Sequence, residues 1–440
     1  MRVTVVGAGY VGLVTGVSLA RHGHQVTLVE RDADRRAALS AGRMPIVEPG
    51  LPEAFAEAQE RIEVAQALEP ADADLVFVAG GTPVGEGGRS DLGQLQDVCE
   101  ALRVWPDADV CIRSTLPPGT SIRLPALLGR PDGRRISTNP EFLRQGNAVD
   151  DVEKPTRIVI GRYDETEQDH LDRVEALYAG IDAPRLVVGV AAAELIKNVA
   201  NAYLALKLSF VNEVASLSEE YGVDVDDVLA GIALDPRIGN VYMRPGLGFG
   251  GSCLPKELEV VANAGRRQGL AMHIARAAAT VNVDQQARFT RRLLSELGPG
   301  PHRVALLGLS FKAGTDDLRG SPAIAVARLL LEAGAEVVAH DPVVSATSAA
   351  AEVSGLRCAP TIEEAVRSAD AIVIATEWPL YRDIAWPALR ALVRRALVYD
   401  GRNLLRPGAV TAAGFSYRGI GRRAAEPEPT TEIDPLALAR

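Results

Sequence analysis

The sequence predicts an α/β protein in which two similarly built parallel-sheet domains flank a helical centre. Short β-branched runs alternate with helical segments through the first third of the chain. From about residue 191 to 220 the pattern changes to one long apolar-rich helix, and helical segments continue to about residue 298. A second alternating region begins at residue 304. Alternation of strands and helices is typical of parallel sheets covered by helices on both faces, whereas the long helical run indicates a separate helical part.

The strands of the first region are short, apolar and bounded by polar or glycine-containing turns. They are predicted at residues 3–6, 25–30, 74–79 and 109–112. Consecutive strands that are joined through helices pair in parallel through right-handed crossovers. We therefore expect a series of βαβ units in this region.

The second α/β region repeats the pattern of the first. Residues 334–341 resemble residues 23–30, with a glycine, a β-branched strand and an acidic residue at the strand end. Residues 369–376 resemble residues 73–80 in the same way. The two regions are therefore expected to contain similar sheets.

The chain of 440 residues is too long for one hydrophobic core, so several domains are expected. We place sheet domains at residues 1–190 and 299–422, with the helical domain at 191–298 between them. Residues 423–440 are rich in Pro, Glu, Ala and Thr and are predicted to be a disordered tail.

Composition excludes several classes of protein. The net charge of −10 has no long basic block to offset it, which argues against nucleic acid as the main partner. The four cysteines are scattered without CxxC spacing and the six histidines are dispersed, so neither a disulfide framework nor a metal site is indicated. The sequence has no signal-peptide pattern and no apolar stretch of eighteen residues, so we expect a cytoplasmic protein without membrane contact.

A dinucleotide-binding fingerprint comes directly after the first predicted strand. Gly7, Gly9 and Gly12 form G-x-G-x-x-G, with Tyr10 and Val11 between the second and third glycines, and Glu30 ends the second strand. Such glycines allow a tight turn in which the pyrophosphate lies on a helix N-terminus, as in doubly wound Rossmann-like sheets. Glu30 can accept from a ribose 2′-hydroxyl and repels a 2′-phosphate, so NAD is predicted over NADP, although the adjacent Arg31 weakens this preference. A glycine turn without a ligand is the alternative.

A second run, Gly250 to Glu257, places Cys253 in a glycine-rich turn with Lys256 and Glu257 close behind it. A nearby cation lowers the pKa of a thiol, and a carboxylate can activate water, so these residues could form and hydrolyse a thioester. Alone, such a run more often marks a small buried cysteine.

Further blocks accompany these two runs in a fixed order. They are residues 81–83, 114–120, 139–146, 194–197 with Asn201, 235–239, 248–253, 311–319 and 400–402. In these blocks the chain resembles the nucleotide-sugar 6-dehydrogenases, the UDP-glucose/GDP-mannose dehydrogenase family, from residue 1 to about 420. Their number and order make the resemblance specific.

The resemblance implies an NAD-binding N-terminal domain, a central helical domain that forms a homodimer, and a C-terminal nucleotide-sugar-binding domain. It also implies oxidation of the sugar C6 alcohol to a carboxylate with two NAD, as in conversion of UDP-glucose to UDP-glucuronate. Cys253 would hold the intermediate as a thiohemiacetal and then as a thioester. The same chemistry on GDP-mannose or a dTDP-sugar remains open, as does a nucleotide-sugar-binding protein without turnover, although Cys253 and Lys197 are both present.

The resemblance also assigns residues to roles. Lys197 and Asn201 would stabilise the oxyanion from one helix face, while Glu141 and Thr115 would order the hydrolytic water and Glu257 would assist. Further cofactor residues are Arg35, Thr82, Pro83, Thr115, Lys256 and Arg319. Substrate residues are Phe142, Leu143, Lys197, Asn201, Arg237, Tyr242, Phe249, Gly250, Lys312 and Arg402, with Arg237 acting across the dimer.

Alternatives remain for several of these residues. Glu141 alone would be an ordinary surface carboxylate, and the aromatic residues could belong to the core. Lys197 could be a solvated lysine, but its neighbours Leu195, Ile196 and Val199 predict a largely buried helix. Two positions depart from the family pattern, because Glu257 stands where Asp is usual and Gly320 where Glu is usual.

Overall fold

The computed structural model describes residues 1–69, 73–83 and 90–428. These residues form two compact units. The first contains Met1–Tyr203 and Lys256–Arg276, and the second contains Leu204–Pro255 and the residues from Ala277 onward. Each unit is built around one sheet, so the α/β fold with two similar sheets and a helical part is confirmed.

The described part of the first unit contains an eight-stranded sheet in the order β3-β2-β1-β4-β5-β6-β7-β8. Its strands are β1 Arg2–Val6, β2 Gln25–Val29, β3 Ile62–Ala65, β4 Leu75–Val78, β5 Val110–Ile112, β6 Ile136–Thr138, β7 Ile158–Arg162 and β8 Arg185–Gly189. The helices are α1 Tyr10–Arg21, α2 Ala33–Ser40, α3 Leu51–Ala58, α4 Gly93–Leu102, α5 Leu124–Leu127, α6 Ala148–Glu153 and α7 Gln168–Ala176. The four strands expected from the sequence are β1, β2, β4 and β5.

One pair of strands departs from the parallel arrangement. β6 and β7 are antiparallel, while β7 and β8 are again parallel to each other. An antiparallel pair needs no crossover, so the connection between its strands stays at one edge of the sheet. The segment 139–157 therefore lies at the carboxyl end of β6, the edge at which ligands bind in open α/β sheets.

Three helices pass from one unit into the other. They are α8 Val190–Tyr221, α10 Leu254–Arg267 and α11 His273–Leu297, and α9 Val225–Ala233 lies in the second unit. The long helix expected at 191–220 is α8. The expectation that it is buried around Lys197 is wrong, because Leu195 and Val199 are 46% and 50% exposed while Lys197 itself is buried. The helix turns its polar face inward here.

The second sheet has six strands in the described residues, in the order β11-β10-β9-β12-β13-β14, all paired in parallel. The strands are β9 Arg303–Leu307, β10 Glu336–His340, β11 Arg357–Cys358, β12 Ala371–Ile374, β13 Leu397–Asp400 and β14 Ser416–Gly419. The helices are α12 Pro322–Glu332, α13 Ala346–Glu352, α14 Ile362–Val366, α15 Pro379–Arg382, α16 Trp386–Leu389 and α17 Pro407–Ala412. The repeat seen in the sequence thus corresponds to a repeated sheet order.

Both sheets carry a hydrophobic core on each face. In β4, Leu75 and Phe77 pack into one cluster, while Val76 and Val78 pack into another. β12 does the same in the second unit, where alternate residues join separate clusters. Strands that are buried on both faces explain the continuous apolar runs in the sequence.

The segment expected to be a disordered tail is partly held to the second sheet. Ala425 forms an antiparallel bridge with Tyr417, and Arg418 pairs with Glu426 at 2.7 Å. The rest of that segment, from residue 429, lies outside the described residues. Within the described ranges, no helix combines the length and the apolar character needed to cross a membrane.

Candidate active site

The glycine fingerprint forms a turn between β1 and α1. Gly7 has φ of 94°, which only glycine adopts readily, and a Cβ on Gly12 would lie 1.9 Å from the carbonyl oxygen of Gly7. A Cβ on Gly9 would meet nothing within 4 Å, so the approach to the N-terminus of α1 is open. Tyr10 and Val11 begin this helix and are half-buried. The turn therefore fits a pyrophosphate on the first amides of α1.

Glu30 lies directly after β2, at the same edge of the sheet, and is buried. The amide of Asp32 donates to its Oε1 at 3.0 Å. Arg35 lies with its Nε 3.3 Å from Oε2 and donates to the carbonyl oxygen of Ala8 in the glycine turn at 2.8 Å. Because a carboxylate offers about four acceptor positions, Glu30 keeps capacity for a ribose hydroxyl. Two predicted cofactor residues are thus brought together beside the turn.

Three more predicted cofactor residues meet beyond β4 and β5. The hydroxyl of Thr82 donates to the carbonyl oxygen of Thr115 at 2.8 Å. Lys256 donates from Nζ to the hydroxyl of Thr82 at 2.8 Å, and also to its carbonyl oxygen. Pro83 is exposed, and its carbonyl oxygen accepts from the amide of Asp91 at 2.7 Å. These contacts connect the start of α10 to the strand ends.

Lys197 and Glu141 form a buried ion pair with 2.9 Å between Nζ and Oε1. The amide of Leu143 donates to the other oxygen of Glu141 at 2.5 Å. Burial raises the pKa of Glu141, but the ammonium of Lys197 and these hydrogen bonds outweigh it, so the pKa lies below its ordinary value. Glu141 is therefore an ionised buried group and not a surface carboxylate.

Glu257 lies in the first turn of α10 and is 2% exposed. Its Oε2 has no hydrogen-bond partner among the residues that the structure describes. Burial raises the pKa of Glu257, the ammonium groups of Lys197 and Lys256 oppose this, and Glu141 adds to it. Two neighbouring carboxylates thus have pKa values shifted in opposite directions, an arrangement typical of acid and base roles in one site.

Two residues that the sequence reasoning did not single out fix the Lys197 face of α8. The carboxylate of Glu194 accepts from the amides of Gly119, Thr120 and Ser121 at 2.9, 3.0 and 3.1 Å. Asn198 donates to the carbonyl oxygen of Leu116 at 2.9 Å. The polar residues Glu194, Lys197, Asn198 and Asn201 recur at helical spacing, a signal that could have revealed this face. Asn201 lies one turn beyond Lys197 and is half-buried.

A small pocket opens beside Lys197 and Glu194. Its other lining residues are Ile112, Ser114, Leu116, Thr138 and Pro140. They come from the ends of β5 and β6 and from the loops after them. The buried ammonium therefore borders a mostly apolar space at the carboxyl edge of the sheet.

Phe142 and Leu143 come directly after Glu141. The Phe142 ring centroid lies 3.7 Å from the guanidinium carbon of Arg157 and 5.6 Å from the Nζ of Lys197. Leu143 packs against the main core cluster of the first unit. Phe142 is half-buried and stacked between side chains rather than part of the core. Phe142 therefore lies beside the buried ammonium of Lys197.

In the second unit, Cys253 is half-buried at the end of its glycine turn. The hydroxyl of Ser252 lies 3.7 Å from its sulfur. A Cβ on Gly250 would lie 2.2 Å from the carbonyl oxygen of Gly320, and one on Gly251 would lie 2.7 Å from the ring of Phe311. The turn therefore needs both glycines, because it rests directly on the loop 308–321.

The same loop brings Arg319 and Gly320 to the turn. The carbonyl oxygen of Arg319 accepts from the amide of Gly251 at 2.9 Å. The hydrogen bonds that Arg319 donates to the carboxylate of Asp317 raise the pKa of Arg319, and the negative charge of a Cys253 thiolate would act in the same direction. Gly320 has φ of 58°, so glycine suits this backbone better than the glutamate that the family pattern leads one to expect.

Arg402 connects the turn to the ends of two strands. It donates to the carbonyl oxygens of Ala375, Gly248 and Phe311 at 2.7, 3.2 and 3.1 Å. Phe249 is buried, and Asn282 both donates to its carbonyl oxygen and accepts from its amide. Arg402 therefore uses several donors to hold the protein backbone, which the prediction of a substrate cation did not anticipate.

Three further predicted substrate residues occupy the same unit. Lys312 is half-buried, with its ammonium 5.7 Å from the ring centroid of Phe311. Arg237 is exposed and forms a two-pronged pair with Asp235, in which NH2 lies 2.6 Å from Oδ2. Tyr242 adopts φ of 60°, which is unusual for a bulky residue and marks a constrained turn.

Three family models match successive parts of the chain. Residues 1–182 match the NAD binding domain of the UDP-glucose/GDP-mannose dehydrogenase family. Residues 191–284 match its central domain, and residues 305–407 match its UDP binding domain. Together these matches cover most of the chain.

Similar proteins of known name or structure cover nearly the whole chain. A UDP-glucose 6-dehydrogenase of Pseudomonas aeruginosa is 40% identical over 96% of this chain and 98% of its own length. One of Bacillus subtilis is 36% identical over 97% of this chain and 99% of its own length. The solved structure of a UDP-glucose dehydrogenase from Pyrobaculum islandicum is 36% identical, with a TM-score of 0.84 over 96% of this chain and 98% of that one.

Proposed function

Because this chain belongs to the UDP-glucose/GDP-mannose dehydrogenase family and is an NAD-dependent nucleotide-sugar dehydrogenase, we propose that its substrate is UDP-glucose, oxidised at C6 to UDP-glucuronate through a covalent intermediate on Cys253. The named relatives in Pseudomonas aeruginosa and Bacillus subtilis, both UDP-glucose 6-dehydrogenases, support this choice of substrate. The overall reaction consumes two NAD and one water for each sugar. It yields the carboxylate, two NADH and three protons.

NAD, held at the glycine turn beside Glu30, would supply the hydride acceptor for each of the two oxidations. The first removes a hydride from C6 and a proton from its hydroxyl, which leaves an aldehyde. The sulfur of Cys253 then adds to the aldehyde carbon and the thiol proton passes to the aldehyde oxygen, which gives a thiohemiacetal. Removal of the second hydride from C6 and of the hydroxyl proton gives a thioester. Water cleaves the C–S bond, which releases the carboxylate and returns the thiol. A bound intermediate allows two oxidations without release of the aldehyde.

The buried group of Lys197, Glu141 and Glu257 carries this proposal. The ammonium of Lys197 would donate to the oxygen on C6 while negative charge develops there, with Asn201 as a second donor from the same helix. Burial strengthens such an interaction because water does not screen it. The pair at 2.9 Å places the Nζ of Lys197 next to Glu141 inside the unit.

The two carboxylates would divide the proton transfers. Glu141 has a lowered pKa and is tied to Lys197, so it suits ordering of the hydrolytic water together with Thr115. Glu257 has a pKa raised by burial and an oxygen without a partner among the described residues, so it suits acceptance of a proton during the reaction. The side chain is one methylene longer than the usual aspartate, and the local backbone of α10 would compensate.

The remaining predicted residues would bind the two ligands. We assign residues 1–190 to NAD, 191–298 to dimer formation and 299–422 to the nucleotide sugar. Lys312 would contact phosphates or sugar hydroxyls, and Arg402 would shape the sugar site by holding the Cys253 turn. Arg237 is exposed on the surface of its unit, which suits a contribution to a neighbouring subunit.

A homodimer would form through α8. Its exposed apolar side chains are Leu195, Val199, Tyr203, Phe210, Leu217 and Tyr221. They repeat at about helical spacing, and an apolar stripe of this kind is typical of an interface. We expect the wild type to elute as a dimer and the variant Phe210→Glu as a monomer. A monomeric wild type would contradict this arrangement.

The decisive experiment measures products with a panel of nucleotide sugars. The purified protein is incubated with NAD and with UDP-glucose, GDP-mannose or dTDP-glucose, and NADH and free aldehyde are quantified. We expect UDP-glucose to react best, with two NADH for each sugar and little aldehyde. One NADH for each sugar with accumulating aldehyde would reject the four-electron reaction. A preference for GDP-mannose or dTDP-glucose would mean that UDP-glucose is not the substrate.

A further inference from the structure

Glu48 is a buried carboxylate between α2 and α3, and it is only 4% exposed. Its carbonyl oxygen accepts from the amide of Leu51 at 3.3 Å, and Gly50 has φ of 76°. Proline at the second position and a glycine with positive φ at the third are the features of a type II turn. The backbone that carries Glu48 is therefore fixed by its own sequence, Glu48-Pro49-Gly50-Leu51.

The side chain of Glu48 accepts hydrogen bonds from two different segments. The hydroxyl of Tyr10, the first residue of α1 after the glycine turn, donates to Oε2. The amide of Gly146 donates to Oε2 at 2.6 Å, and the amide of Ala148 donates to Oε1 at 2.7 Å. One carboxylate thus joins the cofactor turn, the glycine turn of Gly7 to Gly12, to the end of the segment that carries Glu141 and Phe142.

These hydrogen bonds depend on each other. Hydrogen bonds to a charged group are short and strong, while a buried carboxylate that lacks its donors is costly. Burial and the hydrogen bond to Glu48 raise the pKa of Tyr10, so the phenol remains protonated and can donate. If either segment moves away, the carboxylate loses donors that water cannot replace in the interior. The two segments are therefore stable together rather than separately.

We propose that Glu48 is a positioning residue that holds the cofactor turn and the segment 141–147 in one arrangement, so that NAD binding and nucleotide-sugar binding both depend on it. The part that concerns the sugar rests on the proposed function, which places Phe142 and Leu143 at the substrate. Glu48 would touch neither ligand. Its effect would pass through Tyr10 on one side and through Gly146 and Ala148 on the other.

The test uses Glu48→Gln in the full-length protein. Glutamine keeps the size but replaces one acceptor oxygen by an NH2 group, which cannot accept from the amide of Gly146 or of Ala148. We expect the affinity for NAD and the KM for UDP-glucose each to weaken about 10-fold, the effect of losing one hydrogen bond to a charged group. Amide hydrogen exchange should accelerate at residues 141–148 and at the start of α1, while exchange in β1 and β4 stays slow.

Two further variants sharpen the result. Tyr10→Phe removes only the phenol donor, so it should weaken NAD binding and change the KM for UDP-glucose much less. Glu53→Gln, at an exposed position of α3, should change neither the affinity for NAD nor the KM for UDP-glucose, and it serves as the matched control. If Glu48→Gln does not fold, Glu48→Asp keeps the charge but shortens the reach, and the same measurements apply.

The outcomes separate this proposal from the proposed function. Unchanged NAD affinity, or unchanged exchange at residues 141–148, would overturn the positioning role. Faster exchange throughout the unit would also overturn it, because that result indicates a general loss of stability. If NAD affinity and local exchange change but the KM for UDP-glucose does not, the positioning role holds and the placement of the sugar near residue 142 is rejected.

Discussion

The second sheet repeats the order of strands β1 to β6 of the first sheet, but the two sheets differ in the connection that leaves their first strand. In the first unit, only Gly7, Ala8 and Gly9 separate β1 from α1. In the second, residues 308–321 separate β9 from α12. Gly7 and Gly308 both have positive φ, at 94° and 99°, so the chain leaves both strands in the same way. α12 therefore does not follow its strand as directly as α1 follows β1.

The acidic residues after the second strands also differ in what they bind. Glu30 can still accept a hydrogen bond on the side of the glycine turn. Asp341 instead accepts hydrogen bonds from residues of its own unit. Its Oδ2 accepts from the amide of Leu309 at 2.8 Å and from Nε1 of Trp378 at 3.2 Å. The second sheet therefore uses its acid to fix the long loop rather than to bind a ribose.

This difference shows why one sheet order can serve two purposes. The first unit presents a helix N-terminus and an available acid, which suit a dinucleotide. The second presents a loop that bears Lys312 and Arg319 and supports the turn of Cys253. Function is set by these connections and not by the sheet itself. If the units divide the work in this way, substitutions in each should affect different measurements.

The largest effect is expected for Cys253→Ser. Serine is similar in size, so folding and NAD affinity should stay near those of the wild type, because the glycine fingerprint lies in the other unit. Steady turnover should nearly stop, since a serine ester is a poorer acyl intermediate than a thioester. NAD titration and NADH release measure both properties. Full turnover by this variant would falsify the covalent mechanism.

Lys197→Ala should lower kcat by ~10²-fold or more, the usual loss for a principal oxyanion donor. Glu141 would also lose its partner, so some loss of stability is expected and thermal unfolding should be followed in parallel. The matched control is Lys312→Ala in the second unit, which should raise the KM for UDP-glucose with a much smaller loss of kcat. Equal kcat losses in both variants would show that Lys197 has no special role.

Because of Glu30, the protein should use NAD at least ~10-fold more efficiently than NADP, a ratio that corresponds to ~1.4 kcal/mol of discrimination. Glu30→Gln should narrow this ratio, because the repulsion of a 2′-phosphate is lost. Asp341→Asn is the control, since it alters the equivalent acid of the second sheet and should leave the ratio unchanged. Equal use of NADP by the wild type would mean that Arg31 or Arg35 accommodates the phosphate.

The sequence predicted both sheets because their strands are buried on two faces and so appear as short continuous apolar runs. It also identified the glycine turn between β1 and α1, since glycines at Gly7 and Gly12 are required by backbone geometry. The family resemblance pointed to Lys197 and Glu141. Their direct pairing required the structure, because residues from a helix and a distant loop meet only in the folded chain.

Other features of the structure cannot be recognised from the residues next to them in the sequence. Leu195 and Val199 led to the prediction of a largely buried helix, but both side chains are exposed, because exposed apolar residues look the same in sequence as buried ones. Glu48 was not noticed, since its three donors come from segments far away along the chain. The antiparallel pairing of β6 and β7 depends on the path of the connection between them, and the alternation of strands and helices does not reveal it.

The smallest expected effect is a gain in the stability of the Glu257→Gln variant. The same variant should turn over slowly. Burial raises the pKa of Glu257, so the folded protein holds its proton more tightly than the unfolded chain does. Its contribution to stability is therefore complete below the ordinary carboxylate pKa and is lost as pH rises through the raised value. At pH values above the raised pKa the ionised group is a cost that glutamine removes, which should raise the melting temperature by on the order of 2 °C if ~1 kcal/mol is recovered. The gain should shrink as pH falls, and Glu259→Gln, at an exposed position of the same helix, should show no such trend. A melting temperature that is equal to the wild type at every pH would show that Glu257 is not destabilising when ionised.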